Sequence, residues 1–364
     1  MTKNNNYGLI MAGGVGSRFW PMSTPQNPKQ FLDVLGIGKS LLRLTFERLQ
    51  KTIPTDQIYI LTNTSYRDLV LNQLPELKNE QVLCEPMRKN TAPCIAFAAS
   101  KICKSNPEAT LIITPSDHLI VNEARFNEII STAIKVSNEK KHLVTLGIAP
   151  TRPDTGYGYI EFEKNANVLK GQATDVIQFR EKPNLDTAQA FVSAGNFYWN
   201  AGIFVWRADV ILNALKTFQP SLFNLFASDL SKYGTNEEEN FIYTAFDRCE
   251  DISVDFAVME HAKNVSVVLS DFDWSDLGTW GSLTEHLKKD ENTNSIIGNN
   301  VFTFNSENCL VNVPKNKLVL LDGLKNYIVV ESDDMLMVLK SSNEQELKNY
   351  LKVIETERPD FFKK

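Results

Sequence analysis

The chain is poor in several features that would each point to a class of function. Its five cysteines, Cys84, Cys94, Cys103, Cys249 and Cys309, are odd in number, scattered and without a Cys-x-x-Cys pair, which argues against a disulfide scaffold and a zinc ribbon. A reducing cytosol suits such usage, and a cytoplasmic protein is expected. Only four histidines occur (His118, His142, His261 and His286), and none falls at a zinc-ligand spacing. Positive charge is in deficit: 38 Lys and Arg stand against 44 Asp and Glu, a formal charge of -6. No chain-wide basic field is therefore expected to hold nucleic acid or an anionic membrane, and any anionic ligand has to be caught locally. No apolar run approaches the roughly 18 residues of a membrane span, and the N-terminal MTKNNNYGLIMAGG is too short in apolar residues for a signal peptide.

What is present is a globular composition, 43% apolar and 10% aromatic over 364 residues, enough to bury sizeable cores. Short β-rich runs alternate with helix-period segments from the start: GLIMA, SLLRLTFERLQ, QIYILT, SYRDLVLNQL, QVLCEP, TAPCIAFAASKICK, TLIITPSD. That alternation predicts an α/β fold with a Rossmann-like, doubly wound mixed sheet, ligands binding along the edge where the strands end. Gly13, Glu85 and Asp117 sit at such ends. Between Tyr157 and Arg207 the alternation loosens into longer strands, read as an insertion over residues 151–207 beside the first sheet. SVDFAVMEHAKNV reads as an amphipathic helix burying Val254, Ala257 and Val258. After about residue 290 short strands with Gly and Asn turns predict a small β-rich unit closed by a helix in NEQELKNYLKVIE. The division expected is therefore 1–287 and 288–364.

The most informative segment is GGVGSRFWPMSTPQNPKQFL, which follows the first strand. A glycine cluster there lets backbone N–H groups approach phosphates, while Arg18 and Lys29 supply fixed positive charge. Phe19 stands where a third Rossmann glycine would be, and no Gly-Lys-Ser/Thr of a Walker loop follows, so the cradle is neither of the two common ones. A glycine-rich strand-to-helix turn alone reads equally well as structure; Arg18, Lys29, Pro21 and Pro28 favour the functional reading.

On Gly13, Gly14, Gly16, Arg18, Trp20, Pro21 and the Pro28-Lys29-Gln30-Phe31 run, the chain resembles the nucleotide-diphospho-sugar pyrophosphorylases, and within them the mannose-1-phosphate guanylyltransferases. The resemblance continues in order through CEPMRKNTAP, TPSDH, TGYGYIE, FREKP, WNAGIFVW, SVDFAVME and DWSDLGTW. It implies transfer of GMP from GTP to mannose 1-phosphate, with Arg18 and Lys29 catalytic. Gly13, Gly14, Gly16, Ser17, Glu85, Asn90 and Thr91 would bind the nucleotide. In the family's base-reading position stands Glu85, an acid, and guanine offers N1–H and an exocyclic amine to a carboxylate acceptor. Gly158, Glu181, Lys182 and Asn200 would hold the sugar phosphate, whose hydroxyls want a carboxylate and an amide. Asp117, ending an apolar strand, suits Mg²⁺, and the resemblance makes Asp276 the second ligand, although Asp before Leu-Gly-Thr is also ordinary turn chemistry. Asp255 and Glu260 are read as bracing. Readings kept beside this one are a guanylyltransferase for a heptose or fucose 1-phosphate and a non-catalytic nucleotide-sugar-binding homologue. Relatives with an isomerase domain use a metal-binding cupin barrel; the tail here has no histidine cluster for one, so a single activity is expected. The β-rich tail is a candidate homodimer contact.

Overall fold

A computed structural model describes residues 5–14, 16–163 and 168–362. The chain divides into two compact units. The first comprises residues 1–13, 46–116 and 120–274, and the second residues 14–45, 117–119 and 275–364.

A nine-stranded mixed sheet organises the first unit. Across it the strands run Val82–Glu85, Ile58–Asn63, Asn6–Met11, Thr110–Pro115, Phe197–Arg207, Leu143–Ile148, Val265–Ser270, Ala173–Arg180 and Tyr159–Phe162. The first four are mutually parallel, as the βαβ alternation predicts, so Glu85 and Pro115 end their strands on the edge where Met11 ends its own. The strands within 151–207 do not stand beside this sheet. They complete it, because the long strand Phe197–Arg207 pairs antiparallel with Thr110–Pro115, Leu143–Ile148 and Tyr159–Phe162. Strand alternation identifies such segments but does not say which sheet edge they pair with. The core includes Leu9, Leu111, Ile113, Phe204 and Trp206, packed under the helix Thr91–Ser105, with Phe97 against Phe246.

The segment read as an amphipathic helix is instead a single π-helical turn, Asp255–Met259. Its buried side is as expected, with Val254, Ala257 and Val258 all inaccessible. Apolar spacing over one turn does not distinguish the two geometries, and π turns concentrate at functional sites.

In the second unit the C-terminal strands form two small sheets. Ser295–Ile297, Leu310–Asn312 and Tyr327–Ser332 pair in parallel, joined by the antiparallel Met335–Lys340, while Asn300–Phe304 pairs in parallel with Leu318–Asp322. Parallel partners 15 to 18 residues apart make the expected β-rich unit a short, coil-like stack. The linear division at residue 287 is not the one the compact units follow. Phe19, Leu32, Val34 and Leu41 from the glycine-rich segment share a core with Trp280, Leu310, Ile328 and Leu347, and that common apolar interior joins the signature to the tail. Trp280 is its largest side chain: fully buried, 4.7 Å from the Phe19 ring between centroids, and donating its indole N–H to the Trp20 carbonyl at 3.2 Å. Trp280→Ala removes the packing and leaves that carbonyl without its donor. A loss of roughly 3–5 kcal/mol in urea denaturation is expected, and a loss below about 1 kcal/mol would contradict this account.

Candidate functional site

In the second unit the glycine-rich loop is fitted onto Lys29. Gly16 has φ +65, and a Cβ there would lie 2.4 Å from the Lys29 Cβ, so only glycine permits this approach. The chain then closes into the 3-10 turn Ser17–Phe19 through Phe19 N–H to the Gly16 carbonyl at 3.0 Å. Val15 lies outside the described residues. Gly14 takes a hydrogen bond on its carbonyl from the Gln30 amide at 3.0 Å.

Pro28 starts a second 3-10 turn, Lys29–Phe31, which buries Lys29 to 4% exposure. An ammonium so buried needs partners. Lys29 Nζ donates to Asp117 Oδ2 at 3.1 Å and to the Asp276 carbonyl at 2.7 Å, and stands 5.2 Å from the centroid of the Phe19 ring. Burial alone would raise the Asp117 carboxyl, but Lys29 and the adjacent His118 outweigh it and hold the group below its ordinary range. Asp276 forms the Asx turn foreseen for it: Oδ1 accepts from Gly278 N–H at 3.0 Å, with Leu277 in the left-handed region at φ 46. A cavity of about 290 Å³ is lined by Arg18, Lys29, Asp117, His118, Asp276 and Lys348. Lys348 carried no sequence signal; it comes from the C-terminal helix Leu347–Glu357. Among the described residues no group of three or more His, Cys, Asp or Glu is arranged to hold a metal. A cation here would rest on the two aspartates and complete its shell with ligand oxygens and water, which is the usual manner of Mg²⁺.

In the first unit Gly13 follows the strand Asn6–Met11, and Glu85 is 8% exposed. The Glu85 carbonyl is fixed by the Asn63 amide at 3.1 Å and the Thr64 hydroxyl at 3.3 Å. Burial pushes its carboxyl up to about 8, with Arg88 opposing. Asn90 and Thr91 serve the backbone. Asn90, at φ 65, caps the helix Thr91–Ser105 by accepting from Thr91 N–H at 3.0 Å, and the Thr91 hydroxyl accepts from Val254 N–H at 2.8 Å.

Gly158, Glu181 and Asn200 converge as expected. A Cβ on Gly158 would lie 2.4 Å from Glu181 Oε2 and 3.5 Å from the Asn200 Cβ. Glu181 Oε1 pairs with Lys182 Nζ at 2.8 Å, whereas Oε2 is buried with no hydrogen-bond partner. Asn200 accepts from the Thr145 hydroxyl at 2.8 Å and donates to Asp255 Oδ1 at 2.9 Å. Burial, reinforced by the Glu181 carboxylate, pushes the Asp255 carboxyl up to about 7. Glu260 braces the group, as the sequence reading has it, by accepting from Glu181 N–H at 3.0 Å. Asp255 braces it as well, by accepting from the Asn200 amide.

The nucleotidyl transferase family matches residues 7–293 of the chain. A mannose-1-phosphate guanylyltransferase of Salmonella montevideo is 38% identical over 360 residues, covering 96% of this chain and 74% of that protein. One from Klebsiella pneumoniae is 36% identical over 361 residues, covering 98% and 75%. The crystal structure of a mannose-1-phosphate geranyltransferase from Thermus thermophilus superposes with a TM-score of 0.85 at 27% identity, over 96% of this chain and 99% of that one.

Burial of Glu85 sets a pH dependence. Its folded pKa lies above the unfolded value, so its contribution to stability is present below about pH 4.3 and is lost as pH rises towards about 8. Glu85→Gln removes that loss. The stability gap between variant and wild type is expected to widen by up to about 1.4 kcal/mol per pH unit between pH 5 and 8 and to level above. Urea midpoints at pH 5, 6.5 and 8.5 measure it; a gap independent of pH refutes the assignment.

Proposed function

Because the chain belongs to the nucleotidyl transferase family, and within it to the mannose-1-phosphate guanylyltransferases, we propose that it transfers GMP from GTP to α-D-mannose 1-phosphate, releasing diphosphate. The observation that carries this reading is Lys29, 4% exposed, held by Asp117 and the Asp276 carbonyl in a cavity that also takes Arg18. Fixed cations beside two hard-oxygen carboxylates suit phosphate groups and a divalent cation.

An oxygen of mannose 1-phosphate forms a bond to the α-phosphorus of GTP while the bond from that phosphorus to the α,β-bridging oxygen breaks. The nucleophile is already an anion, with a second pKa of about 6, so no general base is required. The obstacle is repulsion between anions. Arg18 neutralises the leaving diphosphate, and Lys29 acts near the α-phosphate. Mg²⁺, held by Asp117 and Asp276, would add positive charge at the transferring phosphoryl oxygens. Backbone N–H groups of Gly13, Gly14, Gly16 and Ser17 suit the phosphate chain. Glu85 accepts from guanine N1–H and the exocyclic amine; those donors favour its ionised form, so nucleotide binding releases a proton. The unpartnered Glu181 Oε2 and the Asn200 amide suit sugar hydroxyls, and Lys182 suits the sugar's phosphate. The five free thiols and the need for GTP support a cytoplasmic setting. Among the described residues no helix is long and apolar enough to cross a membrane.

A homodimer through the tail is the accompanying proposal. Phe302 and Leu320, side by side in the strand pair Asn300–Phe304 and Leu318–Asp322, are exposed with Leu318, and this two-stranded sheet has open edges that a second copy can meet.

Two measurements follow. A coupled diphosphate assay over the four NTPs and several sugar 1-phosphates is expected to show preference for GTP with mannose 1-phosphate. Lys29→Ala should lower turnover by about 100-fold or more, since one such contact supplies roughly 3 kcal/mol; near-normal release would sink the mechanism. Sedimentation should give a dimer that Leu320→Glu converts to monomer, and a 41.1 kDa wild-type species would refute the dimer.

A further inference from the structure

The tail contributes more to the second unit than a core. In the helix Leu347–Glu357, Leu347 and Leu351 are buried in the cluster that contains Phe19 and Trp280. That packing fixes the face of the helix bearing Lys348, which is adjacent to the first anchor and three residues before the second. The preceding turn, Ser341–Glu346, is tied independently: Glu344 Oε1 accepts from Gly281 N–H at 2.8 Å. Lys348 is thereby held at the wall of the cavity that holds Arg18, Lys29, Asp117 and Asp276.

Its electrostatic setting is unlike that of a solvated surface lysine. The foremost influence on it is a like charge, the Arg18 guanidinium, which pushes the ammonium below its ordinary value. Glu344 also feels Arg18, but it is spent on Gly281. Among the described residues no carboxylate forms an ion pair with Lys348, whereas Lys29 has its counterion in Asp117. Two like-charged side chains at one cavity wall gain from a multivalent anion. In the cavity as a whole, Arg18, Lys29 and Lys348 outnumber the carboxylates of Asp117 and Asp276.

We infer that Lys348 is a phosphate-binding residue of this cavity, acting with Arg18 on the terminal phosphates of the nucleoside triphosphate and on the diphosphate that leaves. Lys29 is buried and committed to Asp117, so it acts beside the carboxylates where the transferring phosphoryl group sits. Arg18 and Lys348 are exposed long side chains at the wall, with the reach to hold the outer phosphates. The identity of the anion rests on the proposed reaction. The positive site itself does not.

The test compares wild type, Lys348→Ala, Lys348→Arg and Lys352→Ala. Lys352 is one turn along the same helix; it lines the neighbouring groove with Trp20, Leu351 and Phe362, which Lys348 also borders, and is not among the residues lining the cavity of Lys29 and Asp117. Calorimetry with inorganic diphosphate and Mg²⁺ gives the Kd, and reverse turnover of GDP-mannose gives KM for diphosphate. Lys348→Ala is expected to raise both by about 10-fold or more, leaving KM for the sugar nucleotide within about two-fold. Lys348→Arg should restore most of the affinity, and Lys352→Ala should match wild type. If Lys348→Ala loses its thermal transition, Lys348→Gln, which keeps most of the stem, takes its place with the same expectation. Diphosphate affinity within about two-fold of wild type in the folded variant overturns the inference while leaving the guanylyltransferase reading intact. Wild type that binds diphosphate through Lys348 but turns over no sugar 1-phosphate does the reverse. Wild type that neither binds nor turns over defeats both.

Discussion

The second unit depends on finding partners for one buried ammonium. Lys29 reaches Asp117 and the Asp276 carbonyl, which come from segments some ninety and two hundred and fifty residues along the chain. An unpaired charge at that depth would cost several kcal/mol, and removing one partner of such a pair leaves that cost exposed. The loop at Gly16, the position of Asp117 and the Asx turn at Asp276 are therefore one constraint rather than three. Leu277 accepts a left-handed backbone because the turn delivers the Asp276 carbonyl to Lys29.

The same pair reconciles an acidic chain with polyanionic substrates. At a formal charge of -6 the protein has no long-range attraction for phosphate. In the proposed mechanism attraction is local, from the buried Lys29 and from Arg18 and Lys348, which line the same cavity. Asp117, held ionised by Lys29 and His118, retains its negative charge for a divalent cation even though it is paired. In the proposed mechanism its oxygens would answer a divalent cation as well as the lysine.

Much of this was legible in the sequence where the chemistry is local. The glycine cluster with Arg18 and Lys29 stands out because few backbones need that combination, and βαβ alternation specified the parallel half of the sheet. Gly158, Glu181 and Asn200 were each visible in their own segment, and the structure brings them together. Legibility ended where pairing is nonlocal. Alternation in FYWNAGIFVWR identifies a strand but cannot say that it enters the main sheet between Thr110–Pro115 and Leu143–Ile148. Lys348 looks like any solvated lysine of an amphipathic helix until Leu347 and Leu351 fix its face. Asn90 and Thr91 were recognised by position, but their side chains build the cap and the tie to Val254.

The π turn Asp255–Met259 places irregular backbone beside the residues proposed to hold the sugar phosphate. Its start is anchored by Val254 N–H on the Thr91 hydroxyl, and Asp255 is thereby presented to Asn200 beside the Glu181 carboxylate. Two acids this close, in a place that disfavours charge, are unfavourable without a ligand. A carboxyl raised to about 7 serves as donor or acceptor according to its proton, while Glu181 Oε2 can only accept while ionised and lacks a donor. Each hydroxyl of a sugar both donates and accepts. A ligand carrying several of them would satisfy the orphaned oxygen, whereas a deoxy analogue at that position would leave it buried and unpaired, a loss of the kind that separates such substrates most sharply.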